Sequence, residues 1–290
     1  MPDNHLLMSA KSVATFYALG TIALWATLAA MGVALKHLPP FLLTGLALTI
    51  GSVPGWFRIR EWKLPLATLA LGVYGLFGYH LLLFIALRHA PPVEANLINY
   101  LWPLLIVVLS PLILRDARLT WKHALAACMG FSGAAIAILG GGEKVHALRS
   151  EYIGGYLAAL GAAFIWATYS LGTKRIAPFP TAAVGLFCLV SGLLALLCHA
   201  LFEPPAVFML SAHDWGLIGL IGFGPLGIAF YLWDKALKLG DARQIGILSY
   251  LTPCASTLLL VWVSGCTLDF SMVLATALIV GAAILGMRTR

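Results

Sequence analysis

Asn96, Asn99, Tyr100 and Pro103 stand at i, i+3, i+4 and i+7 of an otherwise apolar stretch, so a helix gathers them on one face. Two amides and a phenol offer donors and acceptors without net charge, which suits a neutral or zwitterionic guest. The same offsets return 150 residues on as Gly246, Ser249, Tyr250 and Pro253. Each proline leaves a carbonyl without its usual donor and favours a kink. Interhelical hydrogen bonding around a structural kink is one account of this pattern; its recurrence favours a hinge and gate. Trp25 and Trp166 fall near the middle of their apolar stretches, whereas Trp usually collects at membrane interfaces, as Trp56, Trp62, Trp121, Trp215 and Trp262 are placed to do. Core packing is one reading of the pair. The other is two flat walls facing one cavity, together with Tyr79, Tyr100 and Trp102.

Tyr74, Gly75, Gly78, Tyr79 and His80 form a further cluster, answered by Gly222, Gly224, Pro225, Gly227 and Tyr231. Gly and Pro in such density allow bending and close helix contact. The candidate gate residues are therefore Gly75, Gly78, Pro103, Gly224, Pro225, Gly227 and Pro253. The candidate substrate contacts are Trp25, Tyr79, His80, Asn96, Asn99, Tyr100, Trp102, Trp166, Tyr169, Tyr231, Ser249 and Tyr250. His80 is the titratable side chain nearest mid-membrane, read either as a neutral hydrogen-bonding residue or as a proton switch. Asp234 lies one turn before Lys238, where a surface pair would suffice. No Asp or Glu sits centrally to relay a proton, and no Lys or Arg to hold a phosphate.

The elements that carry these residues are membrane helices. The chain is 61% hydrophobic and 10% charged, with mean hydropathy +0.95. Its apolar stretches cover about 13–36, 40–57, 65–88, 94–114, 121–141, 153–175, 181–202, 214–238, 242–265 and 268–287, each close to the ~20 residues that cross a bilayer. The first is too long for a signal-peptide core and lacks a small-residue cleavage site. The five cysteines sit within apolar spans without metal-ligand spacing and read as small hydrophobes. No metal or other cofactor is implied, and no motif for nucleophilic or metal catalysis occurs, so the expectation is not an enzyme.

Charge orients the chain. Lys36, Arg88, Lys144 and Arg149 fall on one side of a ten-span model, and the other fourteen of the eighteen Lys and Arg on the opposite side. The positive-inside rule then puts both termini in the cytoplasm, and the net charge of +7 orients the protein without implying a nucleic-acid partner. Rare residues also recur. Gly20, Trp25, Ala26, Thr27 and Pro39 match Gly161, Trp166, Ala167, Thr168 and Pro180 at a shift of 141, and Tyr100, Leu101 and Pro103 match Tyr250, Leu251 and Pro253 at 150. Five spans per half make the second half enter from the opposite side. The expectation is an all-α membrane protein: ten transmembrane helices as two inverted five-helix repeats, 1–148 and 149–290, around a central cavity. In a single structure, spans three and four or spans eight and nine should be the straighter pair, with the cavity open to one side.

The stretches Asn99-Tyr100-Leu101-Trp102-Pro103, Phe164-Ile165-Trp166-Ala167 with Tyr169, and Ser249-Tyr250 with Thr252-Pro253 resemble the aromatic amino-acid exporter subgroup of the ten-helix EamA branch, within the drug/metabolite transporter superfamily. The resemblance spans almost the whole chain. It implies export of Phe, Tyr and Trp, and of planar cations such as methyl viologen, across the bacterial inner membrane. A broader drug or metabolite exporter of the same superfamily is the alternative. The expected partners are the small-molecule substrate and the lipid bilayer, with the protein a monomer.

Overall fold

A computed structural model describes residues 4–115, 117–139, 150–204, 210–264 and 270–288. The described residues form helices and connecting turns, with no strand. Eight helices are long and apolar enough to cross a membrane: α1 Ala10–Ala34, α3 Leu66–His89, α4 Pro92–Ile113, α5 Trp121–Leu139, α6 Ser150–Arg175, α7 Ala183–Phe202, α8 Ala212–Leu239 and α10 Phe270–Arg288. A shorter apolar helix, α2, covers Pro40–Trp56. The remaining stretch, α9, is made of two segments, Ala242–Leu248 and Leu251–Ser264.

Local sequence sets the helix ends. Pro40 and Pro92 stand in the first helical turn, where a missing N–H costs nothing. Ser211 and Asp214 make a reciprocal capping box at the start of α8, and the Asp241 side chain caps α9 by accepting from the Arg243 amide.

Interior breaks follow the same logic. Pro103 has no N–H for the Asn99 carbonyl, and α4 is interrupted at Tyr100–Leu101. Pro253 does the same to Ser249, and α9 is interrupted at Ser249–Tyr250. α3 carries a π-helical turn at Tyr74–Gly78 and α8 one at Gly224–Ile228, again 150 residues apart. Pro225 accounts for the second by withdrawing a donor from Ile221. In the first, Gly75 gives room to the Tyr169 ring, which a Cβ there would strike. Both halves are thus interrupted at matching places. Prolines account locally for the breaks in α4, α8 and α9, and the α3 turn accompanies the Tyr169 ring at Gly75. The halves differ elsewhere: α1 breaks at Thr27, whereas α6 runs unbroken through the matching Thr168.

The packing pairs also exchange when the halves are swapped. α1 lies on α8 as α6 lies on α3, α2 on α8 as α7 on α3, and α1 on α9 as α6 on α4; α2 packs on α7 and α5 on α10. One end of the bundle gathers Lys11, Arg115, Lys174, Arg175, Arg243 and Met287 around two crevices that share Gly240 and Asp241. At the other end, buried Glu203 accepts from the amides of Phe41 and Leu42, from Arg88 at 2.8 Å and from His199 at 2.7 Å.

Of the Asp234–Lys238 pair, the carboxylate is off the surface. Asp234 is only 2% exposed, bonded to Lys238 at 2.6 Å and to the Thr181 hydroxyl at 2.6 Å. Lys238 stays exposed and donates to the Phe179 carbonyl. The segment before α7 supplies both outside partners, which the spacing along α8 alone does not reveal.

Candidate functional site

A cavity of about 460 Å³ lies between the halves, within the range of small-molecule sites. Its floor is aromatic. Trp25 from α1, Trp102 from α4, Trp166 from α6 and Trp233 from α8 contact one another, with ring centroids 5.3 Å apart for Trp25–Trp233, 5.6 Å for Trp102–Trp233 and 5.7 Å for Trp25–Trp166. Phe230 and Tyr79 complete the cluster, lying 5.7 Å and 5.3 Å from Trp166. The edge-on and tilted geometries are those that the ring quadrupole favours, each pair contributing about 0.5–1.5 kcal/mol.

The walls rise from this floor along α3 (Tyr79, His80, Leu83, Leu87), α4 (Asn96, Asn99, Tyr100) and α9 (Thr252, Pro253, Ser256). Leu87 and Ile138, at the ends of α3 and α5 near Arg88, form the rim. The cavity therefore opens toward the Arg88–Glu203 end. Toward the basic end it is shut by Trp233 and Leu237, each 1% exposed, and by Ile106, 0% exposed. The Trp233 indole N–H donates to the Ser170 hydroxyl across that plug at 3.2 Å.

Among the described residues, every polar group on the lining is formally neutral except the titratable His80, and no Asp, Glu, Lys or Arg lines the cavity. His80 Nδ1 lies 2.6 Å from the Leu76 carbonyl in the π-helical turn. A carbonyl only accepts, so Nδ1 carries the proton and Nε2 of the neutral ring is an acceptor. Asn99 donates to the Tyr79 hydroxyl at 3.1 Å, while its Oδ1 is buried without a partner. In α8 the matching turn is held from across the interface, by the Trp25 indole N–H donating to the Pro225 carbonyl at 3.1 Å. The indole N–H groups of Trp102 and Trp166 meet no acceptor among the described residues, and neither nitrogen is sealed from the cavity. The site thus combines a stacking floor with unspent neutral donors and acceptors.

Of the residues singled out in the sequence, Trp25, Tyr79, His80, Asn96, Asn99, Tyr100, Trp102, Trp166 and Pro253 line this cavity. Tyr169, Tyr231, Ser249 and Tyr250 do not. Tyr169 packs behind Trp166 at 5.4 Å. Tyr231 donates toward the Gly51 carbonyl at 3.2 Å, where α2 approaches α8. Ser249 and Tyr250 are 0% exposed, the first bonded to the Ile245 carbonyl and the second packed against Gly130 of α5. Among the gate candidates, Gly75 and Gly78 lie in the α3 turn, and Gly224, Pro225 and Gly227 in the α8 turn. Pro103 and Pro253 follow the breaks in α4 and α9. Phe230 and Trp233 were missed, although Leu226, Phe230 and Trp233 stand at i, i+4 and i+7 on one face of α8. Trp56, Trp121 and Trp215 are 50%, 70% and 49% exposed, as interfacial residues would be.

A family model described as the EamA-like transporter family matches residues 12–139 and again residues 153–288. The chain is 42% identical over 280 residues to the aromatic amino acid exporter YddG of Ancylobacter novellus, covering 94% of this chain and 96% of that one. It is 25% identical to the aromatic amino acid exporter YddG of Escherichia coli, covering 95% and 97%. A probable terminal-alkyne amino-acid exporter of Streptantibioticus cattleyicolor is 26% identical, with 89% and 85% covered. A solved crystal structure of a protein 42% identical superposes with a TM-score of 0.88, covering 94% of this chain and 96% of that one.

Proposed function

The chain belongs to the EamA-like transporter family, and from that premise we propose that it exports aromatic amino acids from the bacterial cytoplasm by alternating access. The carrying observation is the four-tryptophan floor beneath a ring of neutral polar groups. An aromatic side chain stacks on the floor, and its amino and carboxylate groups meet Asn96, Asn99, Tyr100, His80 and the free indole N–H groups. The names of the similar exporters agree with this cargo.

On this reading all ten apolar stretches cross the inner membrane as two inverted five-helix repeats, 1–148 and 149–290, within a monomer. What supports the inversion is the exchange of packing partners between halves and the matched breaks in α3 and α8, and in α4 and α9. The gathering of basic residues beside Lys11 and Met287 supports cytoplasmic termini. The conformation then faces outward. α3 and α4 make the outer gate, standing open with Tyr100 on the cavity wall, and α8 and α9 make the inner gate, closed with Tyr250 sealed. Reversal of the two gates would carry the floor from one side to the other.

The test is flux in proteoliposomes with labelled Trp, Phe, Lys and a sugar. Trp and Phe move and compete with each other, while Lys and sugar stay at the protein-free rate. Equal movement of Lys or sugar would replace this reading by the broader metabolite exporter, and methyl viologen flux without amino-acid flux by a drug exporter.

A further inference from the structure

We propose that the crevice at the basic end is the entry chamber of the transport path and captures the substrate by its carboxylate. The inference rests on the exporter reading and adds the chemical group by which cargo is selected.

Position makes the crevice part of the path. It is lined by Ile113, Leu114 and Arg115 from the end of α4, Lys174 and Arg175 from the end of α6, and residues 240–243 of the α8–α9 turn. The same helix faces line or close the central cavity one to three turns earlier: Trp102 and Ile106 on α4, Trp166 and Ser170 on α6, Trp233 and Leu237 on α8. The buried Ile106 and Leu237 and the Trp233–Ser170 bond lie between the two spaces, in a core that also includes Leu171, Ile245 and Leu248.

Charge gives the crevice its chemistry. Among the described residues, four cations and one carboxylate line it. The carboxylate, Asp241, is already committed to Arg243, whose Nε lies 3.0 and 3.2 Å from its two oxygens. Burial works against the charged form of Asp241, but the bonds from Arg243 outweigh it and hold the pKa below the ordinary carboxylate value. Neither Lys174 nor Arg175 makes an ion pair within 4 Å among the described residues, although Asp241 lies within electrostatic reach of Lys174. Lys174 donates to the Leu237 carbonyl and to that of Gly240 at 2.8 Å, and Arg175 to the Ile113 carbonyl at 2.8 Å. These are the final carbonyls of α8 and α4, so the two cations clamp helices from both halves shut through their dipole ends. A carboxylate is a stronger acceptor than a carbonyl. Its arrival would draw Lys174 and Arg175 away and loosen the clamp.

The opposite mouth lacks this chemistry. The repeat shifts place Val33 and Ala34 where the crevice has Lys174 and Arg175, and Val93 where it has Arg243. Of the cations on that side, Arg88 is spent on Glu203. The three crevice cations thus have no counterparts at the matching places of the opposite mouth, which suits one-way delivery.

The experiment compares L-tryptophan with tryptamine, the same ring without the carboxylate, in full-length protein reconstituted with known sidedness. From the basic face, wild type takes tryptophan at the lower KM. Arg175→Gln and Lys174→Gln each reduce that preference about tenfold, the loss of one charge-assisted bond, and Arg175→Lys restores much of it. From the opposite face the preference does not move. Absence of any tryptophan preference from the basic face of wild type overturns the proposal without recourse to a variant, as does an unchanged ratio in both glutamine variants. Movement of neither compound in wild type would instead overturn the exporter reading itself.

Discussion

Single residues divide into those that touch cargo and those that hold the floor, and Trp166 does both. It is 3% exposed and touches Trp25, Tyr79, Tyr169, Phe230 and Trp233, so Trp166→Ala would cost about 3 kcal/mol of stability along with transport. Trp166→Phe separates the roles, because it keeps a ring and removes the free N–H. The expected result is a rise in tryptophan KM of about tenfold, the worth of one bond to a charged acceptor, with the melting temperature nearly unchanged. Equal loss of folded protein and flux would reduce Trp166 to packing. Asp234 predicts the reverse. Its carboxylate faces no cavity but bonds Lys238 and the Thr181 hydroxyl, so Asp234→Asn weakens both bonds while Lys238 still reaches solvent. Thermal unfolding should register a loss of about 1–2 kcal/mol, with tryptophan KM unchanged in the protein that remains folded.

At the scale of helices, the gating proposal makes the interruptions the working parts. Pro103→Ala returns an N–H to the Asn99 carbonyl, and Pro253→Ala returns one to Ser249. A proline inside a helix costs about 3 kcal/mol locally, so both variants should melt no lower than wild type while maximal flux falls, since the gate loses its bend. Unaltered flux in both would make the breaks merely structural. The breaks in α4 and α9 were legible because proline acts through its own missing donor, a property of the local chain. The π-helical turns were legible only as clustered Gly and Pro, since the α3 turn depends on Tyr169 of another helix entering the space at Gly75. The cavity wall was read well on the first half and poorly on the second. Asn96, Asn99 and Tyr100 line the cavity, whereas Ser249 and Tyr250 are buried. Sequence matching pairs these positions, but here only the first-half members of these pairs line the cavity. Trp233 escaped notice for a related reason: its match in the first half is Leu83, so no repeated tryptophan pointed to it.

For the whole molecule, the gating proposal reads the difference between the halves as a difference of state, and so says what a change of state must do. Tyr100 lines the open cavity, and Tyr250, its match, is packed against Gly130 with 0% exposure. If the gates exchange roles, opening at one end accompanies closing at the other, because a shared floor of four tryptophans cannot face both ends at once. Tyr100→Cys should therefore react with a small thiol reagent in the resting protein, and Tyr250→Cys should not. Conditions that populate the opposite conformation, such as saturating tryptophan on the basic face, should slow labelling at 100 and speed it at 250. The native cysteines confine the measurement to differences: Cys188 and Cys254 are buried, but Cys128 is exposed, so each variant is compared with the unsubstituted protein. Neutralising Arg175 loosens the clamp at the basic end, so Arg175→Gln combined with Tyr250→Cys should label faster even without tryptophan. Labelling that rises or falls together at 100 and 250 would mean a pore open along its length, and the two interrupted helix pairs would then be selectivity elements rather than gates.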